Sequence, residues 1–480
     1  MKKIDSKINS INRRNFLKLG TLSGLGLGTG TIFNGCSRKS NGFPQGKAKN
    51  IIFMVSDGMS IGTLTAADHL MRRKFGRMSN WISLYEQNRV RRGLMDMASA
   101  TSIVTDSAAA ATAWGSGQRV YNGSINMTEE GEALTPVLKF FRDAGKGTGL
   151  VTTTRITHAT PAGFGANVPR RNHEDEIAAQ YLERGYDLLM GGGARHFEAV
   201  TRSDGRDLFS EFSQAGYTVA RNKKELSQNN GTGKLLGIFY DTHMPYTLDH
   251  KNIDELSMNL PTLPEMTRVA LDRLSREENG FLLQVEGGRV DHGAHSNDAA
   301  GMIYDQIMFD DAIGTVLEFA GNRDDTLVII TTDHGNANPG LNGAGSGYLE
   351  SNWRFDKLGD FRHTNNWIIP QLDKNSSVSH IRELVEYATR IEIRREEAEV
   401  LKKSLAGNYV NLHRVMSTPY LVLGQILANY LAFNWIGRAH TADYVELCGF
   451  GPGSERINAF NINTQMFDLM LDSAEIQQEA

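Results

Sequence analysis

The chain has 480 residues, 40% of them hydrophobic and 22% charged, with a formal charge of -4. That length rules out a small cross-linked scaffold, and no stretch of about 18 apolar residues runs without polar interruption, which excludes a polytopic membrane protein. Lys+Arg 51 against Asp+Glu 55 leaves no basic footprint for nucleic acid, and the two cysteines, Cys36 and Cys448, support neither a disulfide framework nor a zinc ribbon. Any metal here has to rely on His, Asp, Glu and hydroxyls.

In chain order, Ser10 to Lys18 reads S-I-N-R-R-N-F-L-K and precedes a weakly apolar, Gly-rich run from Leu19 to Gly28. Arg13-Arg14 ahead of such a run resembles a twin-arginine export signal, which would put the mature chain in the periplasm or at the cell envelope; a basic disordered N-terminus is the other reading. Cys36 lies just past the run behind the small Gly35, where a lipid-anchored protein carries its acylated cysteine, so a membrane tether at Cys36 is one expectation. Ser37 to Ala48 has the composition of a linker. Residues 1–46 are therefore expected to be signal and tether, and residues 47–480 the folded body.

From Asn50 onward one arrangement recurs, a short apolar run that stops at Asp, Glu, Gly or Thr and gives way to helical patterning. The runs are Asn50 to Val55, Gly149 to Thr153, Asp187 to Met190, Phe281 to Val285 and Leu327 to Thr331. Runs apolar at nearly every residue suit parallel strands covered on both sides. The expected fold class is α/β, an open, mostly parallel central sheet with helices on both faces. Ligands of such sheets bind beyond the carboxyl ends of the strands, where this sequence places Asp57, Glu286, Asp333 and His334.

Between the first two of these runs lies A-S-A-T-S-I-V-T-D-S-A-A-A-A-T-A-W-G-S-G, from Ala98 to Gly117. Its alanines favour a helix, with Asp106 as N-cap and Ser107 in the first turn. Unpaired amides and the positive end of the macrodipole there would favour a serine alkoxide or a bound phosphate, although a serine at a helix start is often only a cap. With no adjacent histidine base, Ser107 would need a metal to lower its pKa. Further on, Glu286 to His295 packs two acids and two histidines into ten residues; Asp291 and His295 converge if they share a helical turn, and a tight loop could also converge them. Oxygen and imidazole donors together suit Zn²⁺, and all-oxygen sets suit Mg²⁺ or Ca²⁺. Alone, the segment could be a solvated polar loop; Asp333-His334 supplies a second acid and imidazole pair at another strand end.

After His334 the composition changes. Gly340 to Asn352 reads as a loop, Val378 to Leu405 has helical spacing, and a further helix is expected from Thr418-Pro419 to about Phe433. Residues 337–433 are expected to form an inserted helical accessory region, acting as a lid or dimer contact or as a substrate-selecting wall over the metal site.

Taken together, the segments around Asp57 (N-I-I-F-M-V-S-D-G-M), Ser107 (V-T-D-S-A-A-A-A-T-A-W), Val151 (V-T-T-T-R-I-T-H-A-T-P-A-G), Leu188 (L-L-M-G-G-G), Phe281 (F-L-L-Q-V-E-G-G-R-V-D-H-G-A-H) and Thr331 (T-T-D-H-G-N), with His440 ahead of G-F-G-P-G, resemble the alkaline phosphatase family in order and register. The resemblance implies hydrolysis of phosphate monoesters through a phosphoserine on Ser107, with two Zn²⁺ and one Mg²⁺ as cofactors. It implies one zinc on Asp291, His295 and His440, and a second on Asp57, Asp333, His334 and Ser107. The magnesium would share Asp57 with Thr160 and Glu286, and Arg171, next to Arg170, would grip the phosphate. Two zincs about 4 Å apart would hold the attacking and leaving oxygens of an in-line displacement. Asp106 would flank Ser107, and His158 and His292 would surround the third metal and the phosphate, as in the animal and several marine bacterial members, with direct ligation by His158 as the other option. Ser60 stands where the family usually has Gly and is expected to affect only the backbone turn. The resemblance is also compatible with a homodimer or a monomer. Phosphodiesterases and sulfatases of the same superfamily are disfavoured by Glu286, Thr160 and Arg171, and an exported metal- or phosphate-binding protein without turnover is disfavoured by the complete donor set with Ser107.

Overall fold

A computed structural model describes residues 46–228 and 231–477, and these belong to one compact unit. The twin-arginine segment, most of the tether and Cys36 lie outside the described residues. Among the described residues no helix is long and apolar enough to cross a membrane.

Among the described residues there are fourteen strands, in chain order β1 (Asn50–Ser56), β2 (Arg91–Asp96), β3 (Gly147–Arg155), β4 (Leu188–Gly192), β5 (Thr218–Ala220), β6 (Leu235–Ile238), β7 (Phe281–Gly287), β8 (Thr326–Thr331), β9 (Gly335–Asn336), β10 (Gly340–Leu341), β11 (Phe433–Asn434), β12 (His440–Thr441), β13 (Val445–Phe450) and β14 (Phe460–Ile462). Ten of them form the central sheet in the order β14-β2-β13-β8-β1-β7-β3-β4-β6-β5. Every pairing in it is parallel except those β13 makes with β8 and β2, so the mostly parallel sheet expected from the apolar runs is what forms.

Because strand side chains alternate between faces, each buried strand feeds two cores. Ile52, Met54, Leu283, Val285, Val328 and Ile330 meet the helices Ile61–Leu70, Leu263–Leu274 and Ala299–Ala320 on one face. Ile51, Phe53, Val55, Leu282, Leu327 and Ile329 meet Ser107–Ser116, Ala159–Gly165 and Glu174–Arg184 on the other. Cys448 on β13 is buried in the first core, and burial pushes its thiol up to about 12, so it behaves as a small apolar residue.

The helices Ser107–Ser116 and Ala159–Gly165 approach closely through glycine. A Cβ on Gly115 would lie 1.9 Å from the carbonyl oxygen of Gly163, and one on Gly163 would lie 2.5 Å from the Ala111 Cβ. Gly115→Ala is therefore expected to force the two helices apart and cost about 2 kcal/mol. Urea unfolding with the m-value unchanged measures this directly, and an unaltered midpoint would mean that the contact can re-space at no cost.

After β8 the chain passes through β9 and β10, and it returns through β11 and β12. β10 pairs antiparallel with β11, and β9 with β12, so both ends of the intervening segment emerge from one stem. Helices at Ser351–Asp356, Val378–Thr389, Arg395–Leu405 and Pro419–Leu431 fill that segment and bury Ile381, Val385, Leu401, Leu423 and Leu427 in the first core. The continuous helical patterning read from Val378 to Leu405 is two helices, since Arg390 takes the left-handed conformation (φ 59°) and ends the first. The helix expected at Thr418-Pro419 starts there and stops at Leu431.

Candidate metal centre

β1 sits between β8 and β7 at the centre of the sheet, and their carboxyl ends deliver the acids. Asp57 follows β1, Glu286 is the penultimate residue of β7, and Asp333 with His334 follows β8. The turn after β1 needs Gly58, which has φ 68° and whose Cβ would lie 2.5 Å from Asp291 Oδ1. The Gly58 amide donates to Asp333 Oδ1 at 2.8 Å. Asp291 and His295 lie one turn apart on the helix Arg289–His295, as one of the two expected arrangements has it. His440 is placed on β12 by pairing with Asn336 of β9.

Among the described residues three groups of donors result, each with ligand atoms within 4.8 Å of one another: Asp291 with His295 and His440, Asp57 with Asp333 and His334, and Asp57 with Glu286 and His158. In the first, His295 Nε2 is 3.3 Å from Asp291 Oδ2 and 3.1 Å from His440 Nε2. In the second, His334 Nε2 is 3.1 Å from Asp333 Oδ2 and 3.8 Å from Asp57 Oδ1. The rings of His334 and His440 stack at 3.5 Å, which joins the two groups.

Each of these three imidazoles has its tautomer set by the backbone. Nδ1 of His295 donates to the Arg438 carbonyl at 2.6 Å, that of His440 to Thr105 at 2.9 Å, and that of His334 to Gly335 at 3.2 Å. Every Nε2 lone pair is thereby left facing the acids, the arrangement that orients a metal-binding histidine. Both Asp57 oxygens, Asp333 Oδ2, Glu286 Oε1 and Thr160 Oγ1 are buried and find no hydrogen-bond donor among the described residues. Buried polar atoms are ordinarily satisfied, so this set of orphaned oxygens fits divalent cations. Mixed oxygen and imidazole donors, as in the first two groups, suit Zn²⁺, and the carboxylate oxygens of Asp57 and Glu286 suit a hard cation.

The electrostatics follow from this crowding. Burial, and then the charges of Asp333, Asp291 and Glu286, push the Asp57 carboxyl well above its usual range. Burial likewise raises Glu286 to about 7. Burial also works against ionisation of Asp291, but His295 and His440 overcome it and hold the carboxyl well below its usual range. Burial and the neighbouring His334 lower His440 to about 4.

Ser107 opens the helix Ser107–Ser116 and is 1% exposed, its Oγ 3.3 Å from His334 Nε2. Asp106 caps that helix by accepting from the Ala109 amide at 3.0 Å, and its other oxygen accepts from Arg171 Nη1 at 3.0 Å. Arg171 also donates through Nη2 to His158 Nε2 at 2.8 Å, whereas its neighbour Arg170 is exposed. With that donation in place the ring proton of His158 sits on Nδ1, which is buried and has no hydrogen-bond partner among the described residues although the ring belongs to the third group. His292 stands 5.7 Å from His158 between ring centroids and accepts from Arg289 at its Nδ1.

One expectation is corrected. Ser60 does more than shape a turn: its Oγ accepts from the Asn336 amide at 3.0 Å and donates to the Asn336 carbonyl at 3.2 Å. Asn336 in turn donates from Nδ2 to Asp291 Oδ1 at 2.6 Å, so Ser60 helps to hold a donor of the first group. Sequence reasoning also missed Thr152 and Thr154, both of which donate to Glu286 Oε2, and His243, whose ring lies 4.4 Å from that of His292. The two threonines alternate along β3, a signal that they share a face; His243 lies in a loop with no local pattern.

A buried hydroxyl among clustered metal donors, at the carboxyl edge of a doubly wound sheet, places the protein among the metal-dependent hydrolases. A family model described as alkaline phosphatase matches residues 48–476. Alkaline phosphatase 4 of Bacillus subtilis is 31% identical over 469 residues, covering 94% of this chain and 96% of that protein. Alkaline phosphatase 3 of the same organism is 28% identical, covering 93% and 94%. Among solved structures, the alkaline phosphatase of Thermus thermophilus superposes with a TM-score of 0.85 at 33% identity, covering 94% of this chain and 97% of that one. The chain belongs to the alkaline phosphatase family.

Proposed function

We propose that the protein hydrolyses phosphate monoesters through a phosphoserine on Ser107, with two zinc ions and one magnesium ion resident. The observation that carries this reading is Ser107 Oγ, buried at a helix start and 3.3 Å from His334 Nε2. Asp291, His295 and His440 would hold one zinc, Asp57, Asp333 and His334 with Ser107 the other, and Asp57, Glu286 and Thr160 the magnesium. When bound, the ions supply positive charge to a dianionic ester and lower the pKa of a hydroxyl or water nucleophile.

The chain's own groups supply the rest. Ser107 Oγ loses its proton and attacks phosphorus; the new Oγ–P bond forms as the P–O bond to the alcohol breaks, and the alcohol leaves with a proton. Water then attacks the phosphoserine, releasing inorganic phosphate and restoring the hydroxyl. The first-turn amides, which have no intrahelical acceptor, stabilise the equatorial oxygens. Arg171 is held in place by Asp106 and His158 and presents a guanidinium suited to two phosphate oxygens. Arg171→Ala is expected to lower kcat/KM for p-nitrophenyl phosphate about a hundredfold, chiefly through KM, with Arg171→Lys recovering only part because a lysine cannot bridge two oxygens. Export by the Arg13-Arg14 signal belongs to the same reading.

The test is a comparison of rates on a monoester, a diester and a sulfate ester, with metal analysis of the same protein. The monoester should be fastest, at about two zincs and one magnesium per chain. A faster diester would overturn the reading.

A further inference from the structure

A cavity of about 770 Å³ opens beside the first donor group and has His440 in its lining. One wall is the loop that enters the helix Pro419–Leu431, with Arg414 and Val415; the other is the stretch from Ile436 to Thr441, with Arg438. Both walls are fixed. Asn411 donates to Gln425 Oε1 at 2.7 Å and Ser404 Oγ to the Ser417 carbonyl at 2.6 Å, tying the loop to its helices. The Ala337 amide donates to Ala439 at 2.9 Å, and the Ile436 amide to Ala337 at 3.1 Å, tying down the other side.

Two properties of this lining bear on what it can bind. Val415 is 50% and Ile436 72% exposed, so both walls offer apolar contact. Arg414 is exposed and Arg438 half-buried, and neither guanidinium meets a carboxylate among the described residues, whereas Arg155, Arg171 and Arg354 are each paired. Asp443, beside this lining, accepts from the Thr441 hydroxyl at 2.7 Å instead.

Position gives the cavity its role. Ser107 lies on the side of the second donor group, His334 stacks on His440, and an in-line displacement puts the leaving oxygen opposite the nucleophile. We propose that this cavity receives the alcohol portion of the substrate and selects phosphate monoesters whose leaving group joins an apolar body to a second anionic group. The inference rests on the monoesterase reading above. The apolar body would cover Val415 and Ile436, and the anion would take charge-assisted hydrogen bonds from Arg414 and Arg438.

Phenyl phosphate and 4-carboxyphenyl phosphate, whose phenols are of similar acidity, separate the possibilities on the metal-loaded enzyme. The carboxylated ester should show kcat/KM about tenfold higher, the size of one charge-assisted hydrogen bond. That ratio should shrink with added salt, fall toward one in Arg414→Ala/Arg438→Ala, and be partly kept in Arg414→Lys. Calorimetry of 4-hydroxybenzoate against phenol gives a second readout independent of turnover, with binding of the acid lost in the double variant. A wild-type ratio near one, or a ratio that survives the double substitution, overturns the assignment while the monoesterase reading stands. Failure of the loaded wild type to hydrolyse either ester overturns the monoesterase reading itself.

Discussion

Ser107→Ala is expected to lower kcat for p-nitrophenyl phosphate by about a thousandfold or more and to abolish the phosphoenzyme trapped by acid quench of a labelled ester. The size of the effect follows from the loss of the only nucleophilic atom that the helix start offers, leaving direct attack by water as the residual route. The fold should tolerate the change. Alanine is the best helix former, the capping bond to Ala109 comes from Asp106 and not from Ser107, and among the described residues His334 is the only hydrogen-bond partner of Oγ. The variant should therefore melt within a few degrees of wild type, which separates lost chemistry from lost structure. A phosphoenzyme that still forms in wild-type yield would assign the nucleophile elsewhere.

Chelation of the metals is expected to destabilise the protein, and the loss should grow as pH rises from about 4.5 to about 8. Glu286 carries the sign. In the metal-free folded state burial raises its carboxyl from 4.5 to about 7, so between these values the unfolded chain has released the proton and the folded chain has not. The contribution of Glu286 to the stability of the chelated protein then falls as pH rises, by about 3 kcal/mol across that window. Asp57, raised by burial and by its acidic neighbours, acts in the same direction. His295 and His334 are also raised above 6.5: burial opposes this, but Asp291 and Asp333 prevail, so their contribution disappears as pH climbs past neutrality. Bound cations favour the ionised carboxylates and remove the penalty. The gap in Tm between loaded and chelated protein should thus widen by roughly 5 °C between pH 5 and pH 8. A gap that stays flat would show that these carboxyls are not the groups the metals neutralise.

What could be read from the sequence depended on how local the cause was. β1, β7 and β8 are legible because a strand covered on both faces needs apolar residues at every position, and Asp57, Glu286 and Asp333 are legible because they end those strands. The helix carrying Asp291 and His295 is legible through its spacing. β2 is not: much of it is exposed, its neighbour β13 runs antiparallel, and neither has an uninterrupted apolar run to mark it. The break at Arg390 hides because nothing in its type favours the left-handed conformation it adopts. His243 is brought beside His158 and His292 by the loop that follows β6, a tertiary event with no local trace. Ser60 reads as a turn residue until Asn336, 276 positions away, arrives to use its hydroxyl.

The pairing of β12 with β9 has a consequence for the order of assembly. His440 joins Asp291 and His295 only after the chain has run 106 positions beyond His334 (440 − 334) and come back through the stem. During synthesis a nascent chain released as far as residue 439 already holds the donors of the second group and still lacks the last donor of the first. Closing so long a loop is entropically costly unless the intervening helices have packed and brought its ends together. The first group is thus completed last, and its completion marks a chain whose accessory helices have already found their places.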